Sequence, residues 1–271
     1  MNACPPVVIL GCGYTGERVA RRMRIHGARV ICTSRRPERL TQLGDCELVP
    51  LEVPSLTSFD FVPHGSLVLH SIPPITEDDD PNFITRSLGI RPQRVVYLST
   101  TGVYGHESRV DETTPPNPRH SRDRQRLAAE SAVQAGPWSS LVLRPAAIYG
   151  PGRGIHVSMA EGKFKLVGGG GNYVSRIHVD DLAAHVEAAL LSSLEGAWPV
   201  ADDYACTSLE IAAYCAALLD LPVPQSVPAA EAHHTRRADR QVDGRAIRER
   251  LGITLQYPDF RSGIGASLKI G

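Results

Sequence analysis

A glycine-rich turn directly follows the first apolar run of the chain. The apolar residues 7–10 lead into residues 11–16, which have the pattern G-x-G-x-x-G. In such a turn Gly11 lets the backbone turn sharply, Gly13 leaves room for a pyrophosphate, and Gly16 lets the following helix pack closely on the sheet. The amide groups and positive dipole end of that helix face the phosphates. With a strand before it and an amphipathic helix after it, the turn is predicted to bind a dinucleotide. The predicted cofactor contacts in this turn are Gly11, Gly13, Tyr14, Thr15 and Gly16.

The end of the second predicted strand indicates which dinucleotide is bound. NAD-binding units usually carry an Asp or Glu about 20 residues beyond the glycines, where it binds the ribose hydroxyls. Here the strand ends in Ser34, Arg35 and Arg36, and the first acidic residue in reach is Glu38. A carboxylate would repel a 2′-phosphate, whereas a hydroxyl and two guanidinium groups bind it through charge-assisted hydrogen bonds. We therefore expect NADP rather than NAD; the alternative is an arginine pair that only solvates a loop.

Alternating apolar and helical segments indicate the fold that positions this turn. Continuous apolar runs typical of buried parallel strands occupy 66–71, 94–99 and 140–144. Such strand–helix alternation predicts an α/β fold, a doubly wound parallel sheet of the Rossmann type with right-handed crossovers. Ser71 ends the first of these runs and is a further predicted cofactor contact.

The character of the sequence changes after Pro151. A helix capped near Asp180 is predicted to have one buried stripe, and a T-x-x-E capping box opens another helix at Thr207. We therefore expect an NADP-binding Rossmann domain over 1–155 and a smaller mixed substrate lobe over 156–271. Some segments of that C-terminal lobe are expected to return to the first domain.

The composition excludes several classes of partner. The 29 basic and 29 acidic side chains among 271 residues cancel, which gives no electrostatic reason to expect nucleic acid or a membrane surface as partner. No apolar run reaches the roughly 18 residues of a membrane span, and no secretory leader is expected. Six cysteines without a C-x-x-C pair favour buried thiols in a reducing compartment. We therefore expect a cytoplasmic protein with a small-molecule substrate and no metal; the oligomeric state stays open.

Four segments, in this order, resemble the signature segments of a known family. They are the glycine turn at 11–16, S-T-T-G-V-Y-G at 99–105, L-R-P-A-A-I-Y-G-P-G at 143–152, and S-R-I-H-V-D-D-L-A at 175–183. Together they are similar to the NAD(P)-dependent epimerase/dehydratase family, the extended short-chain dehydrogenases/reductases, over most of the chain. The short length resembles the compact atypical branch described as nucleoside-diphosphate-sugar epimerases. The resemblance implies a nucleotide-sugar-like or small carbonyl substrate.

The resemblance also implies a role for Thr100. In the family, a Ser or Thr three residues before the Val-Tyr-Gly triplet hydrogen-bonds the substrate oxygen, and Thr100 holds that position here. A hydroxyl at the carboxyl end of a parallel strand borders the crevice that receives the nicotinamide. Thr100 is therefore the predicted catalytic residue. The alternative is a threonine that only caps the following turn.

The reactive pair of that family is absent from this chain. The family has a Tyr that exchanges a proton and, four residues later, a Lys that lowers its pKa and holds the nicotinamide ribose. These residues stand eight and four positions before a helical Glu, which Glu130 resembles, so Arg122 and Arg126 occupy their positions. A guanidinium stays protonated and cannot act as a phenolic acid or base. Arg126 could still supply positive charge near the ribose.

Three interpretations of this loss stay open. In the first, the protein is an oxidoreductase or an epimerase/dehydratase in which Thr100 donates a hydrogen bond and another group, such as His120, exchanges the proton. In the second, cofactor binding survives without chemistry, and the chain is an NADP-responsive binding or regulatory module. In the third, unidentified residues of the C-terminal lobe act on a different substrate class. The first is favoured slightly over the second.

Other polar clusters are interpreted as structural. The H-V-D-D segment at 178–181 is expected to cap a helix and line a pocket wall rather than bind a metal. Three consecutive aspartates at 78–80 cannot all converge on one ion without special backbone geometry, so a solvated loop is expected there. The H-H-T-R-R segment at 233–237 is expected to be a charged loop over the pocket mouth.

Overall fold

The computed structural model describes residues 4–53, 59–74, 80–231 and 238–269. Its centre is a seven-stranded sheet in the order β12-β7-β5-β4-β1-β2-β3, and every neighbouring pair of strands in it is parallel. The strands of the chain are β1 Val7–Leu10, β2 Val30–Ser34, β3 Glu47–Pro50, β4 Ser66–His70, β5 Pro92–Leu98, β6 Arg109–Val110, β7 Ser139–Pro145, β8 Ala147–Tyr149, β9 Leu166–Val167, β10 Tyr173–Val174, β11 Arg176–His178, β12 Gly196–Val200, β13 Cys206–Thr207, β14 Ser226–Val227 and β15 Gln241–Val242.

Helices cover both faces of this sheet. Side chains of α1, α5 and α7 join one apolar core, and those of α2 and α3 join the core on the opposite face. The helices are α1 Gly16–Ile25, α2 Phe83–Leu88, α3 Ser121–Gln134, α4 Ile155–Ala160, α5 Val179–Leu191, α6 Ser208–Leu219, α7 Arg245–Leu251 and α8 Phe260–Lys269. A 3-10 helix, Thr101–Tyr104, follows β5.

The central strands are apolar along their whole length because both faces of the sheet are covered. Every residue of β1 and β4 is buried. The strand order reverses between β1 and β4, and ligands of open α/β sheets bind outside the carboxyl ends of the strands at such a point. The predicted doubly wound Rossmann sheet is confirmed.

The chain after residue 155 forms a smaller core and also returns to the main sheet. That core contains Tyr149, Met159, Ile211 and Phe260, and Thr207 caps α6 by accepting a hydrogen bond from the Glu210 amide at 3.1 Å, as the capping box predicts. By contrast, β12 extends the main sheet next to β7 and α5 packs beside α1. The division into 1–155 and 156–271 stays a prediction.

Two further features of the fold are the state of the cysteines and the length of the helices. All six cysteines lie in the described part of the chain, and each is unpaired. Within the same residues, none of the helices combines the length and apolar composition that crossing a bilayer requires.

Candidate functional site

The glycine turn lies at the carboxyl end of β1, and its first glycine is held tightly. Gly11 has a φ of +81°, and a Cβ there would stand 2.8 Å from Cγ1 of Ile72. Its amide donates to Oγ1 of Thr33 at 3.0 Å, and that hydroxyl donates to the Ile9 carbonyl at 3.1 Å. Thr33 is a fully buried residue of β2 that the sequence reasoning did not single out. It fixes the start of the turn from the neighbouring strand.

The other two glycines differ in what surrounds them. A Cβ on Gly16 would lie 3.0 Å from Cγ2 of Ile9, so a side chain there would force helix α1 away from the sheet. Around Gly13, no atom of the described residues lies within 4 Å of the position that a Cβ would take. This open backbone, next to the nearly buried Thr15 and the first turn of α1, fits the close approach of a pyrophosphate.

Tyr14 connects the glycine turn to the beginning of the C-terminal lobe. Its hydroxyl donates to the Pro151 carbonyl at 3.0 Å. The guanidinium carbons of Arg18 and Arg153 lie 4.4 and 5.3 Å from the centroid of its ring. Arg18 is itself held by Asp180 at 2.7 Å. The predicted contact of Tyr14 with the cofactor stays a prediction, and the side chain has this bridging role in addition.

The end of β2 carries positive charge without a neutralising carboxylate. Arg35 and Arg36 are both exposed, and the Arg36 amide donates to Oγ of Ser34 at 3.1 Å. Among the described residues, neither guanidinium forms a salt bridge, whereas Arg29 at the start of the same strand pairs with Glu47. Residues 34–36 therefore have hydrogen-bond donors available for an anion at the carboxyl end of the sheet.

Ser71 lies directly against the glycine turn. Its hydroxyl donates to the carbonyls of Gly11 at 2.7 Å and Leu10 at 3.0 Å. The preceding residue, His70, is buried at the end of β4, with its ring centroid 4.7 Å from that of Tyr97. Burial and, to a lesser degree, the charge of Arg126 lower the pKa of His70 to about 3. The imidazole of His70 is thus uncharged at neutral pH and lies buried at the carboxyl end of β4.

Thr100 begins the turn that follows β5. Its Oγ1 accepts a hydrogen bond from the Gly102 amide at 3.1 Å, so it caps the 3-10 helix. The side chain is half-buried, and a hydroxyl that accepts one bond retains its proton for donation. Capping of the 3-10 helix therefore accounts for one hydrogen bond of Thr100. The predicted catalytic contact of Thr100 with the substrate stays a prediction.

Three side chains of α3, at spacings of four, form one stripe beside this turn. Glu130 is buried, and both of its carboxylate oxygens accept from Arg144, the shortest contact being 2.6 Å from Nη2. Ser99 donates to the same carboxylate. Arg126 is half-buried and donates to the Leu98 carbonyl at 3.2 Å.

The reactive end of this stripe is exposed and cationic. Arg122 is exposed, and within the described chain it makes no salt bridge. His120, the other proton-exchange candidate, is exposed at the residue that precedes α3. The stripe therefore carries charge but no phenol, and its contacts with the end of β5 are those of Arg126 with Leu98 and Glu130 with Ser99.

A cavity of about 410 Å³ opens in the C-terminal lobe. Its wall includes Tyr149 and three basic side chains: Lys163, Lys165 and Arg176. Beside Arg176, the carboxyl group of Asp202 is almost fully buried, and burial raises its pKa to about 8. Lys163 pairs with Glu161 at 3.0 Å, and the buried Arg176 donates to the Val174 carbonyl at 2.7 Å, so part of this positive charge is already bonded within the chain.

The H-V-D-D segment at 178–181, which was interpreted as structural, lies at the start of helix α5. Nδ1 of His178 accepts from the Asp180 amide at 3.2 Å and so caps α5, while Asp181 accepts from the amides of Gln256 and Tyr257. The residue that caps α5 is therefore His178, whereas the sequence predicted an aspartate. The Asp181 carboxylate is not available as a cap because it accepts from the amides of residues 256 and 257. No group of three metal-ligating side chains occurs in the described ranges. Asp78, Asp79 and the segment 233–237 lie outside them.

Comparison with known proteins relates the central part of the chain to a family. A family model described as the NAD dependent epimerase/dehydratase family matches residues 84–198. A Streptomyces 3-diazoavenalumate denitrifying reductase is 31% identical over 151 residues, which are 50% of this chain and 49% of that protein. The match thus spans about half the length of this curated relative.

Two solved structures match over nearly their whole length. A functionally unknown conserved protein from Silicibacter pomeroyi DSS is 33% identical with a TM-score of 0.83, covering 98% of this chain and 99% of that one. MoeE5, solved in complex with UDP-glucose and NAD, is 20% identical with a TM-score of 0.82, covering 97% of each chain. The central segment of the chain, residues 84–198, thus matches the NAD dependent epimerase/dehydratase family, and the whole chain has the fold of both solved structures.

Proposed function

We propose that this protein binds NADP(H) at the carboxyl ends of β1, β2 and β4 and catalyses an oxidoreduction of a small anionic substrate. The observation that carries the proposal is the placement of Thr100 at the end of β5, beside the strand whose end, Ser71, lies against the glycine turn. A dinucleotide that extends from the turn across the strand ends would bring its nicotinamide to Thr100.

The preference for NADP follows from the end of β2. Ser34, Arg35 and Arg36 provide a hydroxyl and two guanidinium groups where an NAD-specific protein would carry an acid. MoeE5 was solved with NAD, but at 20% identity that likeness speaks only for the fold. NAD is therefore the less favoured cofactor.

The substrate is proposed to be a nucleotide sugar or a similar small carbonyl compound with negative charge. The basic wall of the cavity, formed by Lys163, Lys165 and Arg176, would bind a phosphate or carboxylate. We place the activity in the cytoplasm because the six unpaired cysteines favour a reducing compartment.

In this proposal the chain stabilises charge where its relatives would transfer a proton. When bound, a nicotinamide dinucleotide would supply or take the hydride. Thr100 donates a hydrogen bond to the substrate oxygen, and the guanidinium of Arg122 stabilises the negative charge that develops there. Because Arg122 cannot release a proton, the proton comes from another group, for which His120 is the candidate. The curated relative, named as a reductase, favours the reducing direction.

One observation favours a second candidate function. Arg122 replaces the proton donor, and Oγ1 of Thr100 already accepts a bond within its own turn. An NADP-responsive binding module without turnover would retain the same cofactor contacts.

A titration followed by a turnover screen separates these functions. NADPH and NADH are titrated into the protein, and NADPH oxidation is then followed with UDP-glucose, UDP-glucuronic acid and a panel of small carboxylate-bearing aldehydes and ketones. Turnover that Thr100→Val lowers to a small residual rate and Thr100→Ser retains supports the enzyme. Tight NADPH binding without turnover supports the module, and failure to bind either dinucleotide contradicts both.

A further inference from the structure

The turn that begins at Thr100 is followed by carbonyl groups that its short helix does not reach. The 3-10 helix Thr101–Tyr104 ends at Gly105, whose φ is +60°, and the chain continues through an exposed loop to β6. The carbonyls of Gly105 and Glu107 lie past the last helical residue, so donors for them come from elsewhere.

One arginine from the far end of the chain supplies those donors. Nη1 of Arg240 donates to the Thr101 carbonyl at 2.7 Å, Nε donates to the Glu107 carbonyl at 3.1 Å, and Nη2 donates to the Gly105 carbonyl. Arg240 is 9% exposed. A single planar guanidinium thus spans the turn from its first helical residue to the loop beyond it, which only the fork geometry of arginine allows.

The backbone of Arg240 is fixed to the C-terminal lobe. Its amide donates to the Tyr173 carbonyl at 2.8 Å, and its own carbonyl accepts from the Ser175 amide at 3.2 Å. The next residue, Gln241, pairs with Arg109 in the β6–β15 ladder. Arg240 therefore connects the chain just before β11, whose Arg176 lines the cavity, with the turn that begins at Thr100.

The charge of Arg240 is buried at a cost that its surroundings partly offset. Burial lowers the pKa of Arg240, and the nearby carboxylates of Asp123 and Glu107 oppose that effect. Each of the three guanidinium nitrogen atoms of Arg240 donates one hydrogen bond to a carbonyl, which further offsets the cost of burying the guanidinium. The arrangement is thus specific to an arginine that spans these carbonyls.

We propose that Arg240 is a positioning residue for the reaction: it fixes the Thr100 turn relative to the C-terminal lobe, so that the Thr100 hydroxyl meets a substrate held there. This inference rests on the proposed function, because it assigns Arg240 an effect that acts through Thr100. Arg240 itself touches neither substrate nor cofactor.

The test compares Arg240→Lys with Arg248→Lys in the full chain. Arg248 is also buried and also donates to a carbonyl, that of Ala201 at 2.7 Å, but none of the hydrogen bonds seen for it in the described residues reaches the Thr100 turn. In hydrogen exchange by mass spectrometry, Arg240→Lys is expected to speed exchange at residues 101–107 about tenfold or more, since lysine cannot span the three acceptors. Arg248→Lys is expected to leave these amides unchanged.

Turnover then distinguishes a positioning role from a merely stabilising one. With the substrate found in the screen, Arg240→Lys is expected to lower kcat about 10- to 100-fold with little change in KM or NADPH affinity, the size of loss that a displacement near 1 Å causes. In a Thr100→Val background the same substitution should cause no further loss, because coupled residues are not additive.

Each failure points to a different conclusion. If Thr100→Val lowers kcat but Arg240→Lys behaves as Arg248→Lys does, the positioning role is wrong and the proposed function stands. If Thr100→Val leaves kcat unchanged, both the role of Thr100 and the positioning role that depends on it are wrong. If the native protein turns over none of the probes, the proposed function is wrong. If hydrogen exchange at residues 101–107 is the same in Arg240→Lys as in the native protein, Arg240 does not fix the Thr100 turn, and its positioning role is wrong.

Discussion

The glycine turn and the α3 stripe border the same edge of the sheet, yet they retain different shares of the family pattern. The turn keeps all its glycines and the open backbone at Gly13. The stripe keeps only its buried end, where Glu130 binds Arg144, and carries Arg122 at the position of the family's tyrosine. The proposed function therefore treats dinucleotide binding and proton transfer as separable parts of this fold.

The largest effect is expected at the buried end of the stripe. Glu130→Gln should reduce the free energy of unfolding by about 3–5 kcal/mol, because it leaves the buried guanidinium of Arg144 without its counter-ion. Denaturant unfolding measures this loss. The exposed pair Arg29–Glu47 gives the control: Glu47→Gln should cost at most about 1 kcal/mol. Equal losses in the two variants would contradict a structural role specific to Glu130.

The next effect concerns the cofactor region alone. The double variant Arg35→Ala with Arg36→Ala should weaken NADPH binding about 100-fold or more, since each of the two charge-assisted hydrogen bonds to a 2′-phosphate contributes roughly 1.5–3 kcal/mol. Binding of NADH should change about twofold or less. Calorimetric titration measures both, and Arg39→Ala, an exposed arginine of the following 3-10 helix, is the control. Equal weakening of both dinucleotides would refute the preference for NADP.

Much of the fold and part of the site could be predicted from the sequence, for physical reasons that specific residues illustrate. Apolar runs and the glycine spacing are local signals, so the parallel sheet and the turn at 11–16 were within reach. The support of Gly11 by Thr33, the bridge from Tyr14 to Pro151 and the three bonds of Arg240 join residues 22 to 139 positions apart. Such contacts depend on tertiary packing, and no spacing in the sequence encodes them.

A third effect lies between the two regions, at His70. Because its pKa is about 3 in the folded protein and near 6.5 in the unfolded chain, the unfolded state binds more protons between these values. Stability should therefore be fully present above pH 6.5 and fall as the pH drops, by about 2 kcal/mol between pH 7 and pH 5. His70→Phe should remove that share of the pH dependence, as measured by denaturant unfolding at both pH values. The exposed His64→Gln is the control, and the same slope in the native protein and His70→Phe would contradict the assignment.

The smallest effect on stability, and the one that most sharpens the contrast, is expected at Gly13. Its φ lies outside the left-handed region and no described atom is near a Cβ there, so Gly13→Ala should change the free energy of unfolding by about 0.5 kcal/mol or less. The added methyl would stand where the pyrophosphate approaches, so NADPH affinity should fall about tenfold or more, equivalent to about 1.4 kcal/mol. Gly171→Ala, at an equally open glycine away from the turn, should affect neither quantity. A Gly13→Ala variant that binds NADPH normally would show that the dinucleotide does not lie on this backbone, and the proposed contacts of Ser71 and Arg35 would then lose their common ligand.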